Sequence, residues 1–326
     1  MNTIINVENL RKEYITYQRG DTLRETIGSF FSRKKILVEA VKDISFTIGE
    51  GEIVGLLGEN GAGKSTIIKI LSGVLFPTSG TVRVMGYEPF SQRNKYVAEI
   101  GAVFGQKSQL IWDIPPADSF ILNKAVYNIP ESDFKARLEQ MTDLLGIAEV
   151  IRKPTRVLSL GERMKCEFVM AMLHAPRVVF LDEPTIGVDL IAKEAIRGFV
   201  QDMNRQGVTF ILTTHDLGDV ERLAQRVIII NHGEKVFEDS LEALGKYLGD
   251  IKNVSVLMKT PLPNELERSG ITLLSRKSPR EAELLVDNAV LPMNDFLVYL
   301  SGMGEVADIS IKEPGMESVI KTIYKA

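Results

Sequence analysis

Gly58-Glu59-Asn60-Gly61-Ala62-Gly63-Lys64-Ser65-Thr66 is the stretch around which the rest of this 326-residue chain is arranged. An apolar run, Ile53 to Leu57, precedes it, and a helical pattern with Ile67, Ile68, Ile70 and Leu71 on its apolar positions follows. The segment is therefore a strand-to-helix turn, the setting in which this spacing of glycines before a Lys-Ser pair forms a P-loop. With glycine at 58, 61 and 63 no side chain blocks the backbone. Successive N–H groups, those of Asn60 and Ala62 among them, can converge on phosphate oxygens, and the positive end of the following helix points at the same place. Lys64 can reach the terminal phosphates as a point charge. The Ser65 hydroxyl, with Thr66 beside it, can take one position on Mg²⁺, an ion that keeps several waters and binds phosphates readily. The loop is built for a nucleoside triphosphate.

The bulk composition narrows what surrounds that loop. Hydrophobic residues make up 44% of the chain and charged residues 25%, the balance of a folded soluble protein with length for two domains. A formal charge of −4 argues against a general nucleic-acid binder, which needs a basic face. The single cysteine, Cys166, rules out an internal disulfide and fits a reducing compartment. With three His and one Cys a structural zinc site lacks ligands. There is no run of 18 apolar residues and no signal-peptide layout, so the chain is expected to be cytosolic or peripheral to a membrane.

Residues 4–10 alternate like an edge strand and lead to Tyr14 and Tyr17, either of which offers a face for a nucleobase or simply covers a sheet edge. Residues 18–37 interrupt the expected strand pair. Within them Leu23, Ile27, Phe30 and Phe31, flanked by Arg24, Arg33, Lys34 and Lys35, read as a short amphipathic helix with a basic end, packed on its own domain or against lipid headgroups. Strands are expected at 41–48 and 52–57 around Gly49-Glu50-Gly51, with Gly73 as the cap of the P-loop helix. Pro77 to Gly80 turn into a strand at 81–85, and Ile100 to Phe104 form another, with Gln106 just beyond its end.

From Lys107 to about Val157 helical periodicity replaces the strand pattern, which reads as a helical insertion carrying the only tryptophan, Trp112. Ser159-Leu160-Gly161-Glu162 opens a further helix. Ser followed at the third place by Glu is a capping box, and the same helix N-terminus could equally face the nucleotide of a second molecule. The apolar run Val178 to Leu181 delivers Asp182-Glu183-Pro184 to the P-loop edge. There Asp182 can hold a metal and Glu183 can orient and deprotonate an attacking water. Val208 to Thr214 hands over His215 at the corresponding end, and Arg226 to Ile230 completes the core sheet.

Taken in order, the P-loop, Gln106, Leu158 to Glu162, Val178 to Glu183, Asp189 and His215 resemble the nucleotide-binding subunit of an ABC transporter over residues 1–240. Within that family the chain is most similar to ATPases of ABC-2-type exporters, through Leu158-Ser-Leu-Gly-Glu-Arg-Met164 and Gly105-Gln-Lys107. The resemblance implies an α/β P-loop NTPase core with a helical subdomain at about 107–172, and a head-to-tail dimer burying two ATP molecules. Each ATP then lies between one copy's P-loop and the other's Ser159 and Gly161. It implies further that Ser65, Gln106 and Asp182 serve Mg²⁺, that Glu183 is the general base, and that His215 contacts the γ-phosphate. Gln106 would also link the metal or water to the permease contact, Asp189 would join the two sites, and Tyr14 would stack on adenine with Tyr17 as its rival. Two departures stand out. Leu160 and Glu162 replace the family's usual Gly and Gln, so either Glu162 turns back into the capping box or hydrolysis is slowed. With Glu183 and His215 both present, a competent ATPase is expected.

Residues 241–326 show strands at 254–258, 271–274, 284–286 and 306–311, with helices at 292–300 and 316–323. This approximates a small ferredoxin-like domain if 264–269 supplies its first helix. An exporter subunit working with a separate membrane permease on the cytoplasmic face of the membrane fits these features, with a drug-like or lipid cargo ahead of a polysaccharide. A soluble ABC ATPase acting on ribosomes or DNA would carry two P-loops or long heptad repeats, and a GTPase would carry an Asn-Lys-x-Asp base reader. None of these occurs in the sequence.

Overall fold

The computed structural model describes residues 2–17, 35–105, 107–214, 216–246, 251–263, 266, 268–313 and 316–325. They cluster into two units, 1–238 and 239–326.

The first unit is built on two sheets. Strand β1 (Thr3–Tyr17) runs between β2 (Lys35–Gly49) and β4 (Ser79–Val84), antiparallel to both. The expectation of an edge strand is thus wrong: β1 is central. The alternation at 4–10 reports a sheet with one face on the core, as Ile5, Val7 and Leu10 show, and one-sided burial says nothing about which neighbours a strand has. The expected amphipathic helix falls at 18–34, outside the described residues, whereas Lys35, Ile36 and Leu37 already belong to β2.

The second sheet has the order β5 (Ile100–Phe104), β6 (Val178–Asp182), β7 (Thr209–Thr213), β3 (Ile53–Gly58), β8 (Arg226–Asn231) and β9 (Glu234–Ser240). From β5 through β8 the pairings are parallel. Such strands need cover on both faces, which explains why they read as unbroken apolar runs. Alternate residues feed two cores. Val54, Leu56, Phe180 and Ile211 pack with Ile67, Ile68 and Leu71 of α1 (Lys64–Leu71) and with Ile5 and Ile44 of the antiparallel sheet. Ile53, Val179, Leu181 and Phe210 face the opposite way.

A short α2 (Arg93–Tyr96) precedes β5, and the helical insertion follows it as α3 (Pro116–Val126) and α4 (Glu131–Leu145). Then come α5 (Leu160–Met172), α6 (Leu190–Arg205) and α7 (Leu217–Leu223). Phe168 of α5 and Phe199 of α6 meet edge to face over the second core, 6.1 Å apart. Cys166 is buried there, and burial pushes its thiol up to about 12. Gly73 is one place past the cap: Ser72 caps α1, and Gly73 in the left-handed region lets Val74 N–H reach the Lys69 carbonyl at 2.8 Å, closing a Schellman turn.

In the second unit α8 (Leu241–Lys246) leads to β10 (Ile251–Met258), β11 (Ile271–Ser278), β12 (Glu281–Asp287), α9 (Met293–Met303), β13 (Val306–Lys312) and α10 (Met316–Lys325). The four strands lie antiparallel in the order β11-β12-β10-β13, the ferredoxin-like arrangement. Val254, Val256, Leu284 and Val286 on one face pack against Phe296 and Leu300 of α9. The helix expected at 264–269 falls in part on residues outside those described. Among the described residues no helix is long and apolar enough to cross a membrane.

Candidate nucleotide site

The loop between β3 and α1 is shaped by its glycines for two different reasons. Gly61 and Gly63 have φ of 83° and 111°, where side-chain-bearing residues are strained. At Gly58 the reason is space, since a Cβ would stand 2.4 Å from the Ile230 carbonyl oxygen. Lys64 is 6% exposed and curls back, donating to the Gly58 carbonyl at 2.7 Å and the Glu59 carbonyl at 2.9 Å. Burial lowers its pKa, and the nearby Glu183 and Asp182 carboxylates pull it back up. Ala62 N–H is donated to the Glu59 carbonyl at 3.1 Å, so this loop amide is satisfied within the turn. Asn60, Gly61 and Ser65 are exposed and Thr66 is half-buried.

The parallel register brings the acidic pair to this loop. Asp182 ends β6 opposite Thr213 of β7 and Phe104 of β5. Its Oδ1 accepts from Ser65 Oγ at 3.2 Å and from Thr213 Oγ1 at 2.5 Å. Glu183 follows with φ of 53°, a left-handed conformation costing an ordinary residue about 1–2 kcal/mol. Its N–H is held by the Thr213 carbonyl at 2.9 Å. A cleft of about 270 Å³ opens beside these groups, lined by Ser65, Lys69, Phe104, Lys107, Asp182 and Glu183 among others. Two cations and two carboxylates thus share one pocket wall. Gln106 and His215 lie outside the described residues. Their chain neighbours Gly105 and Lys107 line the cleft, and Thr214 follows the last residue of β7.

Sequence reasoning missed the groups that hold this edge. Thr213 clamps Asp182, a contact across 31 residues that only strand register reveals. Asp219 of α7, 1% exposed, accepts from Arg197 Nε at 2.7 Å, from the Thr185 hydroxyl and from the Thr214 hydroxyl at 3.5 Å. It therefore ties together the chain just after Glu183 and just before position 215. One signal was available: Arg197 falls within the buried stripe of α6, between Ile196 and Val200, where an arginine requires a buried acid.

A second constellation gathers Ser159, Gly161 and Asp189. Ser159 caps α5, its hydroxyl accepting from Glu162 N–H at 3.2 Å while Glu162 accepts from Ser159 N–H at 2.9 Å. That backbone bond holds the Glu162 carboxyl below its ordinary pKa. Of the two alternatives for Glu162, the structure shows it turned into the capping box. A Cβ on Gly161 would meet both Asp189 Oδ2 and the Ala192 methyl at 2.7 Å, so glycine lets the starts of α5 and α6 touch. Asp189 caps α6 through Ala192 N–H at 2.9 Å. Leu190 and Ile191, just beyond it, are 70% and 81% exposed.

Tyr14 lies opposite Val38 of β2, two residues from Ala40, whose carbonyl oxygen would stand 2.4 Å from a Cβ on Gly63. Its ring is exposed, with the Lys12 ammonium 5.3 Å from the centroid. Tyr17 pairs with Lys35, three positions farther from that contact.

The sequence profile of the ABC transporter family matches residues 41–186, spanning the P-loop, the α5 N-terminus and the Asp-Glu pair. The ABC transporter ATP-binding protein NatA of Bacillus subtilis is 32% identical over 66% of this chain and 87% of its own length. The chain belongs to the ABC transporter ATP-binding proteins. The linearmycin resistance ATP-binding protein LnrL of Bacillus subtilis is 30% identical over 84% of this chain and 81% of its own. The O-antigen export ATP-binding protein RfbB of Myxococcus xanthus is 30% identical over 94% and 67%. A solved ATP-binding cassette, a dimer in a post-hydrolysis state bound to ADP and Pi, superposes with a TM-score of 0.60 at 23% identity. That match covers 73% of this chain and 98% of the other and establishes the shared fold. This is an ABC ATPase.

Proposed function

We propose that the chain hydrolyses ATP at a composite site formed by two copies and thereby drives a separate ABC-2-type permease. The observation that carries this is the Asp182-Glu183 pair standing over the P-loop, with Asp182 3.2 Å from Ser65 Oγ. Two hard oxygens at that spacing, beside a loop shaped for phosphate, fit Mg²⁺, which favours few protein ligands plus phosphate and water. Among the described residues no group of three or more His, Cys, Asp or Glu side chains is placed to hold a metal ion, and the residues assigned to this ion by resemblance are Ser65, Gln106 and Asp182. When bound, the ion neutralises charge on the β- and γ-phosphates. Lys64 adds a fixed positive charge there. Glu183, at the cleft, takes the proton of the attacking water, with Gln106 and His215 assigned by resemblance to the water and the γ-phosphate. Ser159 and Gly161 supply the second copy's contact. The exposed Leu190 and Ile191 beside Asp189 support that dimer, since apolar side chains at a helix start gain by being covered.

Glu183→Gln tests the assignment. Loss of the general base should lower kcat by roughly 10²–10⁴ while ATP binding persists. An unchanged rate would remove Glu183 from this role.

Partner binding on the cytoplasmic face of a membrane is supported by Trp112, 52% exposed, with Ile111 beside it, since exposed aromatic residues make strong anchors. No role with nucleic acid is proposed for a chain of net charge −4. Similarity to a linearmycin resistance protein favours a drug-like or lipid cargo. The O-antigen export relative, matched over more of the chain, supports a polysaccharide as second reading. Co-purification from detergent-solubilised membranes, followed by identification of the multi-span polypeptide retained, decides between them. Recovery with ribosomes instead would refute both.

A further inference from the structure

Glu167 is 2% exposed on α5, between Cys166 and Phe168, both fully buried. A carboxylate in such a place costs several kcal/mol unless other groups satisfy it. The charge of Arg163, one turn back on α5, favours the ionised form of Glu167, but its hydrogen-bond partners lie off its own helix. Oε1 accepts from Ser108 Oγ at 2.5 Å, and Gln109 N–H reaches both oxygens at 3.1 Å. Gln109 continues the connection, its side-chain amide donating to the Ala102 carbonyl of β5 at 2.5 Å. Two residues on, Phe104 lies opposite Asp182, and Lys107 N–H returns to the Phe104 carbonyl at 3.0 Å. Farther along, residues 112–114 are fixed to the turn before α5, through Thr155 N–H on the Ile114 carbonyl and Arg156 N–H on the Trp112 carbonyl, each at 3.0 Å. At Ser108 and Gln109 the connection to α5 runs through Glu167. Burial raises its pKa, and the bonds from Ser108 and Gln109 act against that.

Eight residues separate Glu167 from Ser159, about 12 Å along the helix. One rod therefore carries, at one end, the group offered to a second copy's nucleotide and, two turns in, a rigid link to the strand end of the chain's own site. We propose that Glu167 is a positioning residue that couples occupancy of this chain's own nucleotide cleft to the orientation of the α5 N-terminus it presents to its partner copy, making hydrolysis at the two sites cooperative. This rests on the composite-site reading above.

The test uses the full chain with ATP and three variants: Glu167→Met, which keeps volume but removes both acceptors, Glu167→Gln, which keeps one carbonyl for Gln109 N–H, and Ser108→Ala. For Met the Hill coefficient of hydrolysis should fall to about 1 and kcat about tenfold, the loss expected for a hydrogen bond to a charged group. ATP affinity should stay unchanged, Gln should recover most of the rate, and Ser108→Ala should fall between. Native cooperativity in the Met variant overturns the proposal. So does a uniform loss of ATP affinity and melting temperature in all three variants, which marks Glu167 as structural only. A native chain that hydrolyses without cooperativity and shows no ATP-driven dimer refutes the composite-site reading itself, before any variant is made.

Discussion

Asp219 shows how a residue with no chemistry of its own can decide a site. Arg197, 6% exposed, has its guanidinium on that carboxylate, with Nη2 to Oδ1 at 2.5 Å. Removing one partner of such a pair leaves the other charge buried and uncompensated. Asp219→Ala should therefore cost about 3–5 kcal/mol in urea unfolding. It should also lower kcat, because Thr185 and Thr214 lose their common anchor. Asp219→Asn, which keeps an acceptor, should cost less on both counts. The Asp182-Glu183 pair itself was legible in the sequence, since an apolar run ending in Asp-Glu-Pro carries its own context. Thr213 and Asp219 were not, because their partners lie 31 and 34 residues away and only the sheet register and the docking of α7 bring them together.

At the scale of elements, the start of α5 gives a prediction with a sign. Glu162→Ala removes half of the capping box and should destabilise the protein by about 0.5–2 kcal/mol at neutral pH. The Glu162 pKa is lowered in the fold from its ordinary 4.5. Its contribution is therefore fully present above that value and lost as pH falls through the lower folded value. The gap between native and Ala variant in unfolding midpoint should close only below pH 4.5. A gap that persists unchanged in acid would show that the carboxylate is not what the cap uses. The same element illustrates what periodicity can and cannot say. Met164, Phe168, Val169 and Met172 are buried as their spacing requires, yet Glu167 shares that face. Alternation in β1 likewise identified the inward residues while giving no hint that strands flank it on both sides.

For the whole molecule, the two units have separate cores, the second built on Val254, Val256, Leu284 and Phe296. No residue placed in the nucleotide machinery comes from beyond Asp189 other than Thr213, His215, Asp219 and the packing around them. A chain ending at Ser240 should therefore bind ATP with native affinity by calorimetry. Loss of binding would give the second unit a part in the site. The strands of that unit were readable from short apolar runs, whereas its order in space was an inference from the succession of elements. That order holds because hairpin and crossover connections leave few ways to pair four strands.

Cys166 has a practical outcome. It is the only thiol in the chain, sealed inside a helix and kept protonated far above neutral pH. A maleimide label or bifunctional reagent will therefore report only on sulfhydryls deliberately installed. Two protomers, each carrying one engineered cysteine, can be followed through turnover on an otherwise native background.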